Sequence, residues 1–151
     1  MVSRYNELAS TSEIPSVRNS RAIEGNLLTD SKPAAEFNGP EYHNFDIAAV
    51  GGGLHHFDDP TKAIARLAQR LKVGGVLLIV DFVEEAAQEW VPTSADPTIH
   101  KRGFCESEMR EMMERCGLGD IGWKEMPERL EMKFSEHTVL KRGFLARAVK
   151  R

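Results

Sequence analysis

The sequence predicts an α/β fold built on a mainly parallel sheet. Two apolar runs, Phe45–Val50 and Val76–Phe82, are each bounded by glycines or a charge, as suits strands buried on both faces. Between them lies one well-patterned amphipathic helix, so strand, helix and strand follow within about 40 residues as a right-handed crossover unit. Two further β-like stretches close the chain, and an antiparallel pair is a common way to finish such a sheet.

The elements follow in order. Val2, Tyr5, Leu8 and Ala9 recur at helical spacing until the Ser10–Ser12 cluster ends the pattern. After a loop around Pro15, Arg21–Leu28 alternates like a short strand with Gly25 near its end. Thr29–Asn44 is polar with proline and glycine, and reads as a surface connection with room for a short helix. The strand Phe45–Val50 runs into Gly51-Gly52-Gly53. For the next helix Asp58 or Asp59 offers an N-cap and Pro60 suits the first turn. Ala63, Ile64, Leu67, Ala68 and Leu71 form its apolar stripe, and Gly74-Gly75 stops it after Lys72.

Val83–Gly103 loses all periodicity and reads as a lid-like loop with Trp90, Pro92 and Pro97. A last helix spans about Glu106 to Cys116, with Met109, Met112, Met113 and Cys116 on one face and Gly117 as its stop. Ile121–Glu125 and Thr138–Val149 are the closing strands.

Length and composition bound the function. The 151 residues suit one domain with one core, and an apolar share of 41% excludes wholesale disorder. A net charge of -3 with interspersed signs gives no field that would gather nucleic acid or an anionic membrane. The longest apolar stretch is far too short to span a bilayer, and MVSRYNELAS has no signal-peptide core, which leaves the cytoplasm as the expected compartment. Cys105 and Cys116 then read as reduced thiols, too far apart along one helix for a disulfide. No zinc spacing exists among the cysteines and five histidines, so no metal site is expected.

Several of these stretches together resemble one family. FDIAAVGGGLHHFDDPTKAIARLAQRLKVGGVLLIVDF, Phe45–Phe82, is similar to the fourth strand, fourth helix and fifth strand of class I S-adenosylmethionine-dependent methyltransferases. Asp46, Leu54-His55-His56 and Leu71-Lys72-Val73-Gly74-Gly75 carry the match, with Val73 in place of the family's proline. GFCESEMREMMERCGL looks like the opening of the family's last helix, with Cys105 where a capping serine is usual. Arg21–Leu28 resembles the third strand, with Asn26 where an acidic residue normally holds the cofactor's adenine.

The resemblance implies a Rossmann-like methyltransferase sheet that is partial: strands three to seven present, strands one and two missing with the glycine-rich cofactor loop. That reading makes the chain an N-terminally truncated domain whose Phe45–Val50 strand is an open edge. It also implies S-adenosyl-L-methionine as cofactor and a small molecule as methyl acceptor. Asn26 and Leu27 would lie by the adenine, and Gly51 and Gly52 would pass their backbone along the methionine part. His55 or His56 would face the substrate as a catalytic group, with a purely structural turn as the competing reading. Asp46 and Asp81 flank strands and read equally as caps or site residues. Adjacent histidines on an extended segment are expected to point to opposite sides, which excludes a chelating pair. Two other readings of the whole remain: a non-catalytic module that forms homo- or hetero-oligomers through its open edge, and a remnant with no function of its own.

Overall fold

The computed structural model describes residues 2–26, 28–29, 37, 39–85, 99–134 and 137–151. The chain divides into two compact units, Met1–Asn38 and Gly39–Arg151.

The first unit opens with α1 (Val2–Ser10), as the helical spacing predicts. A second, four-residue helix, α2 (Pro15–Arg18), occupies the stretch read from sequence as a loop, with Pro15 at its first position. The strand expected over Arg21–Leu28 is not formed among the described residues, 21–26. The reason is local. Asn6 sends its side-chain amide to Ala22, donating to the Ala22 carbonyl at 2.9 Å and accepting from its N–H at 2.7 Å. Ala22 thus meets an amide side chain of α1 instead of a neighbouring strand. Tyr5 and Ser20 add a hydroxyl–hydroxyl bond of 2.9 Å between the same two segments.

The second unit holds a four-stranded sheet: β1 (Phe45–Gly51), β2 (Leu71–Phe82), β3 (Leu118–Phe134) and β4 (His137–Lys150), ordered β1-β2-β4-β3. β1 and β2 are parallel and are joined by α3 (Pro60–Arg70), as the sequence pattern predicts. β4 runs antiparallel to both β2 and β3. α4 (Glu106–Arg115) leads into β3. α3 packs on β1 and β2, while α4 packs on β3 and on α3, so both helices cover one face of the sheet.

The covered face follows from register. Leu77, Ile79 and Asp81 of β2 lie opposite Ala148, Ala146 and Phe144 of β4, and all six are buried. Ile64 and Ala68 of α3 and Met109, Met112 and Met113 of α4 complete this core, so the methionines are packing residues, as their spacing suggested. Phe144 stacks on Trp123 at 3.9 Å and meets Phe104 edge-on at 6.4 Å.

The apolar runs were expected to be buried on both faces, and neither is. From Gly75 onward β2 alternates between buried and half-buried positions. Among the described residues β1 is an edge strand with β2 as its one neighbour, and Phe45 and Ile47 are 43% and 60% exposed. Ile47, Leu78 and Leu145 share the face opposite the helices.

Helix ends show which local signals acted. Asp59, not Asp58, caps α3: its carboxylate accepts from Lys62 N–H at 2.9 Å. The helix stops at Arg70, two residues before Lys72, because Leu71 turns extended and pairs with Phe45 of β1. Gly74, at φ 79°, then turns the chain, and a Cβ on Gly75 would sit 2.8 Å from the Phe45 carbonyl. Cys105 precedes α4 without offering a capping bond.

β3 is far longer than the five residues read from sequence. Charged residues and Pro127 hid its second half. The irregularity between Glu125 and Arg129 accommodates Pro127 on an edge strand, where a missing N–H is tolerated. Beyond it Arg129–Phe134 and His137–Arg142 form a two-stranded arm. The lid-like stretch around Trp90 lies outside the described residues.

Candidate functional site

In a parallel α/β sheet ligands meet the carboxyl ends of the strands, because loops there are free of the crossover helices. Here those ends are Gly51 of β1 and Phe82 of β2. Gly52 N–H donates to the Val80 carbonyl at 2.8 Å, carrying the β1 backbone just past its last paired residue. Gly52 has φ 59°, and a Cβ on either Gly51 or Gly52 would meet none of the described residues within 4 Å. The backbone is therefore bare at the place where a ligand would run along it.

The chain next forms a single 3-10 turn, Leu54–His56. Its organiser is Asp81, which is 2% exposed. One carboxylate oxygen accepts from Leu54 N–H at 2.9 Å and His55 N–H at 3.3 Å. The other accepts from Phe82 N–H at 2.8 Å and lies 2.7 Å from His55 Nδ1. A buried carboxylate requires this many donors, since each lone pair taken from water needs replacement. On its far side the turn is held by its carbonyl: His55 O accepts from His100 and Lys101 N–H at 3.2 and 3.1 Å.

The two histidines differ. His55 is buried, with its ring 5.3 Å from Phe82, while His56 is exposed. Their rings lie 4.1 Å apart at 39°, which corrects the expectation of opposite orientations. A 3-10 turn places successive side chains about 120° apart, unlike the 180° of an extended segment. Among the described residues no group of three metal-ligating side chains is assembled.

A second layer surrounds Phe82. Phe104 N–H donates to the Phe82 carbonyl at 2.9 Å and Val83 N–H to the Arg142 carbonyl at 2.8 Å. Lys141 lies over the Phe82 ring, 5.2 Å from its centroid, and donates to the Arg102 carbonyl at 3.4 Å. Burial, with the charge of Arg102 nearby, holds its ammonium below the ordinary lysine range.

Other partners hold the remaining expected site residues that the structure describes. Asn26 belongs to the first unit, where its Oδ1 accepts from Leu28 N–H at 2.8 Å in a local turn. Leu27 lies outside the described residues. Asp46 is exposed and pairs with Lys72, whose ammonium holds its carboxyl below the ordinary range. Both cysteines are free thiols. A hydrogen bond with Ser107 lowers the pKa of exposed Cys105, and burial pushes that of Cys116 up. Sequence reasoning left Asp81 as a strand-flanking residue, equally a cap or a site residue. The available signal was a carboxylate closing an otherwise apolar strand.

Residues 31–79, which include β1, the histidine turn, α3 and most of β2, match a methyltransferase domain family. No curated protein matches the chain. Among solved structures the chain is similar to the YcgJ protein of Bacillus subtilis, with a TM-score of 0.67 at 17% identity over 100% of this chain and 78% of that one. It is also similar to a SAM-dependent methyltransferase from Archaeoglobus fulgidus, with a TM-score of 0.60 at 10% identity over 87% and 68%. A third is phosphoethanolamine N-methyltransferase 2 of Haemonchus contortus in complex with S-adenosyl-L-methionine, with a TM-score of 0.50 at 15% identity over 70% and 33%. The chain spans 33% to 78% of the lengths of these proteins. The Haemonchus contortus protein holds S-adenosyl-L-methionine. The bare backbone at Gly51 and Gly52 fits the close approach of such a ligand.

Proposed function

On the premise that this chain shares its fold and central segment with the class I S-adenosylmethionine-dependent methyltransferases, we propose that it serves methyl transfer to a small molecule. The observation that carries this reading is one of place. The matched segment includes the carboxyl end of β1, where the bare Gly51-Gly52 backbone adjoins the turn that Asp81 holds at His55. S-adenosylmethionine brings a methyl group on a positively charged sulfur, ready for in-line displacement, so the protein's work is mainly positioning. Gly51 and Gly52 take the cofactor's amino-acid part. His55 and His56 form the substrate side. The free cysteines suit a reducing compartment such as the cytoplasm.

Calorimetric titration of the 151-residue chain with S-adenosylhomocysteine, after confirmation of a cooperative melt, tests this. Micromolar binding supports the reading, and no binding by a folded chain rejects it.

A second reading is favoured by one observation, the exposure of Phe45 and Ile47 on the open strand β1. A strand with one open edge and apolar side chains is a template for strand addition, so a non-catalytic module would assemble with itself or a partner through this edge. Light scattering across a concentration series separates the two: a chain that binds no S-adenosylhomocysteine yet grows in mass with concentration is the module.

A further inference from the structure

Asp81 makes four hydrogen bonds, and their pattern restricts His55. A carboxylate only accepts. Both its oxygens are occupied by backbone N–H groups, from Leu54 and His55 on one and Phe82 on the other. The 2.7 Å approach of His55 Nδ1 to the second oxygen therefore requires a hydrogen on Nδ1. In a neutral imidazole that leaves Nε2 with the lone pair. The ring is also fixed in rotation. It packs between His56 and Phe82, and its own backbone is bonded through both N–H and carbonyl.

We propose that Asp81 is the positioning residue of this site, holding His55 as the Nδ1–H tautomer so that Nε2 is a standing proton acceptor. Such a group matches a methyl acceptor whose nucleophilic atom must shed a proton, foremost a hydroxyl. In that reaction the O–H proton passes to Nε2 as the new O–C bond forms. The C–S bond breaks with its electron pair on sulfur, leaving a neutral thioether. Asp81 then faces an imidazolium, which returns the proton to solvent. The acceptor class rests on the methyl-transfer reading; the tautomer does not.

The tautomer is read by long-range proton–nitrogen correlation on histidine-labelled protein, with His55 identified by its loss in His55→Gln. The expected signature is a pyrrole-type Nδ1 and a pyridine-type Nε2. In Asp81→Asn an amide that keeps its oxygen on Nδ1 and Phe82 N–H sets its NH2 against the N–H groups of Leu54 and His55. Turned over, it sets the NH2 against Phe82 N–H alone and toward Nδ1, so the expected signature is the Nε2–H form or a mixture. A wild-type His55 found mainly as Nε2–H overturns the proposal, as does a folded Asp81→Asn with an unchanged tautomer. Should Asp81→Asn fail to fold, the wild-type signature alone decides.

The acceptor class is tested with methyl-labelled S-adenosylmethionine and a panel of phenols, alcohols and amines. The expected result is labelling of hydroxyls, reduced roughly 100-fold or more in turnover by His55→Gln and by Asp81→Asn, with S-adenosylhomocysteine affinity unchanged. Labelling of amines alone, no labelling by a chain that binds S-adenosylhomocysteine, or full turnover in both variants overturns it. Failure to bind S-adenosylhomocysteine at all rejects the methyl-transfer reading while leaving the tautomer result standing.

Discussion

Glu85 and Arg129, 44 residues apart, form a two-pronged ion pair, with guanidinium nitrogens 2.7 and 3.1 Å from the two carboxylate oxygens. Arg142 approaches the same carboxylate at 3.7 Å. Glu85 follows β2 closely, while Arg129 and Arg142 face each other across the root of the β3–β4 arm. The arm has only two strands, and a two-stranded ribbon is marginal without a further tie. Glu85→Ala is therefore expected to speed amide hydrogen exchange over residues 129–142 while changing global stability by about 1 kcal/mol or less. Unchanged exchange in the arm would show that the clamp is ornamental.

Asp81 offers a much larger effect. Asp81→Ala leaves the N–H groups of Leu54, His55 and Phe82, together with the His55 ring, without their acceptor in a buried place. The expected loss is about 3 kcal/mol or more, read by urea unfolding. A loss under about 1 kcal/mol would mean that water replaces the carboxylate easily.

The two candidate caps of α3 are separable. Asp59→Ala removes the acceptor of Lys62 N–H and should cost about 1 kcal/mol. Asp58 instead meets His100 Nδ1 at 2.9 Å on an exposed surface. Asp58→Ala should therefore change stability by about 0.5 kcal/mol or less. Equal losses in the two variants would contradict the capping geometry.

Lys141 gives a pH dependence with a defined sign. Its folded pKa is lowered by burial, then by Arg102, while the unfolded chain keeps the ordinary lysine value. Between those two values the unfolded state binds more protons, so this lysine's contribution to stability rises with pH. Lys141→Met removes the half-buried charge and keeps much of the stem's volume. Its melting midpoint should equal or exceed wild type at neutral pH, and the difference should shrink toward the ordinary lysine pKa. A widening gap would reverse the assigned cause.

Gly51 tests the ligand path without disturbing the fold. An added Cβ meets nothing within 4 Å, so Gly51→Val should leave the melting midpoint nearly unchanged. If the cofactor passes there, S-adenosylhomocysteine affinity falls by tenfold or more, about 1.4 kcal/mol. Unaltered affinity in a chain that binds the ligand would place the cofactor elsewhere.

Much of this protein was legible from residues alone, for reasons that stay local. The α3 stripe, its aspartate cap and Pro60 act within a few residues of chain, and so do the helical spacings of α1 and α4. The apolar run of β2 and the glycines beside it needed no partner to be recognised. Where the reading failed, a distant partner decided. The Arg21–Leu28 alternation looked like a strand, yet Ala22 bonds the Asn6 side chain instead. Pro127 and its charged neighbours fell outside the predicted strands, yet β4 supplies a ladder that carries them as an edge strand.

The sequence by itself determined the α/β crossover, the helix that joins it and the place where Gly51-Gly52 and the two histidines cluster. Only the tertiary structure decided that Asp81 is the centre of that place. Pattern alone left it a strand-end aspartate, because an alternating strand does not announce which face will be covered. The β2–β4 register puts Asp81 in one row with Leu77 and Ile79 under the helices. Burial there forces its carboxylate to find donors, and those it finds are the backbone of the histidine turn, the ring of His55 and the N–H of Phe82.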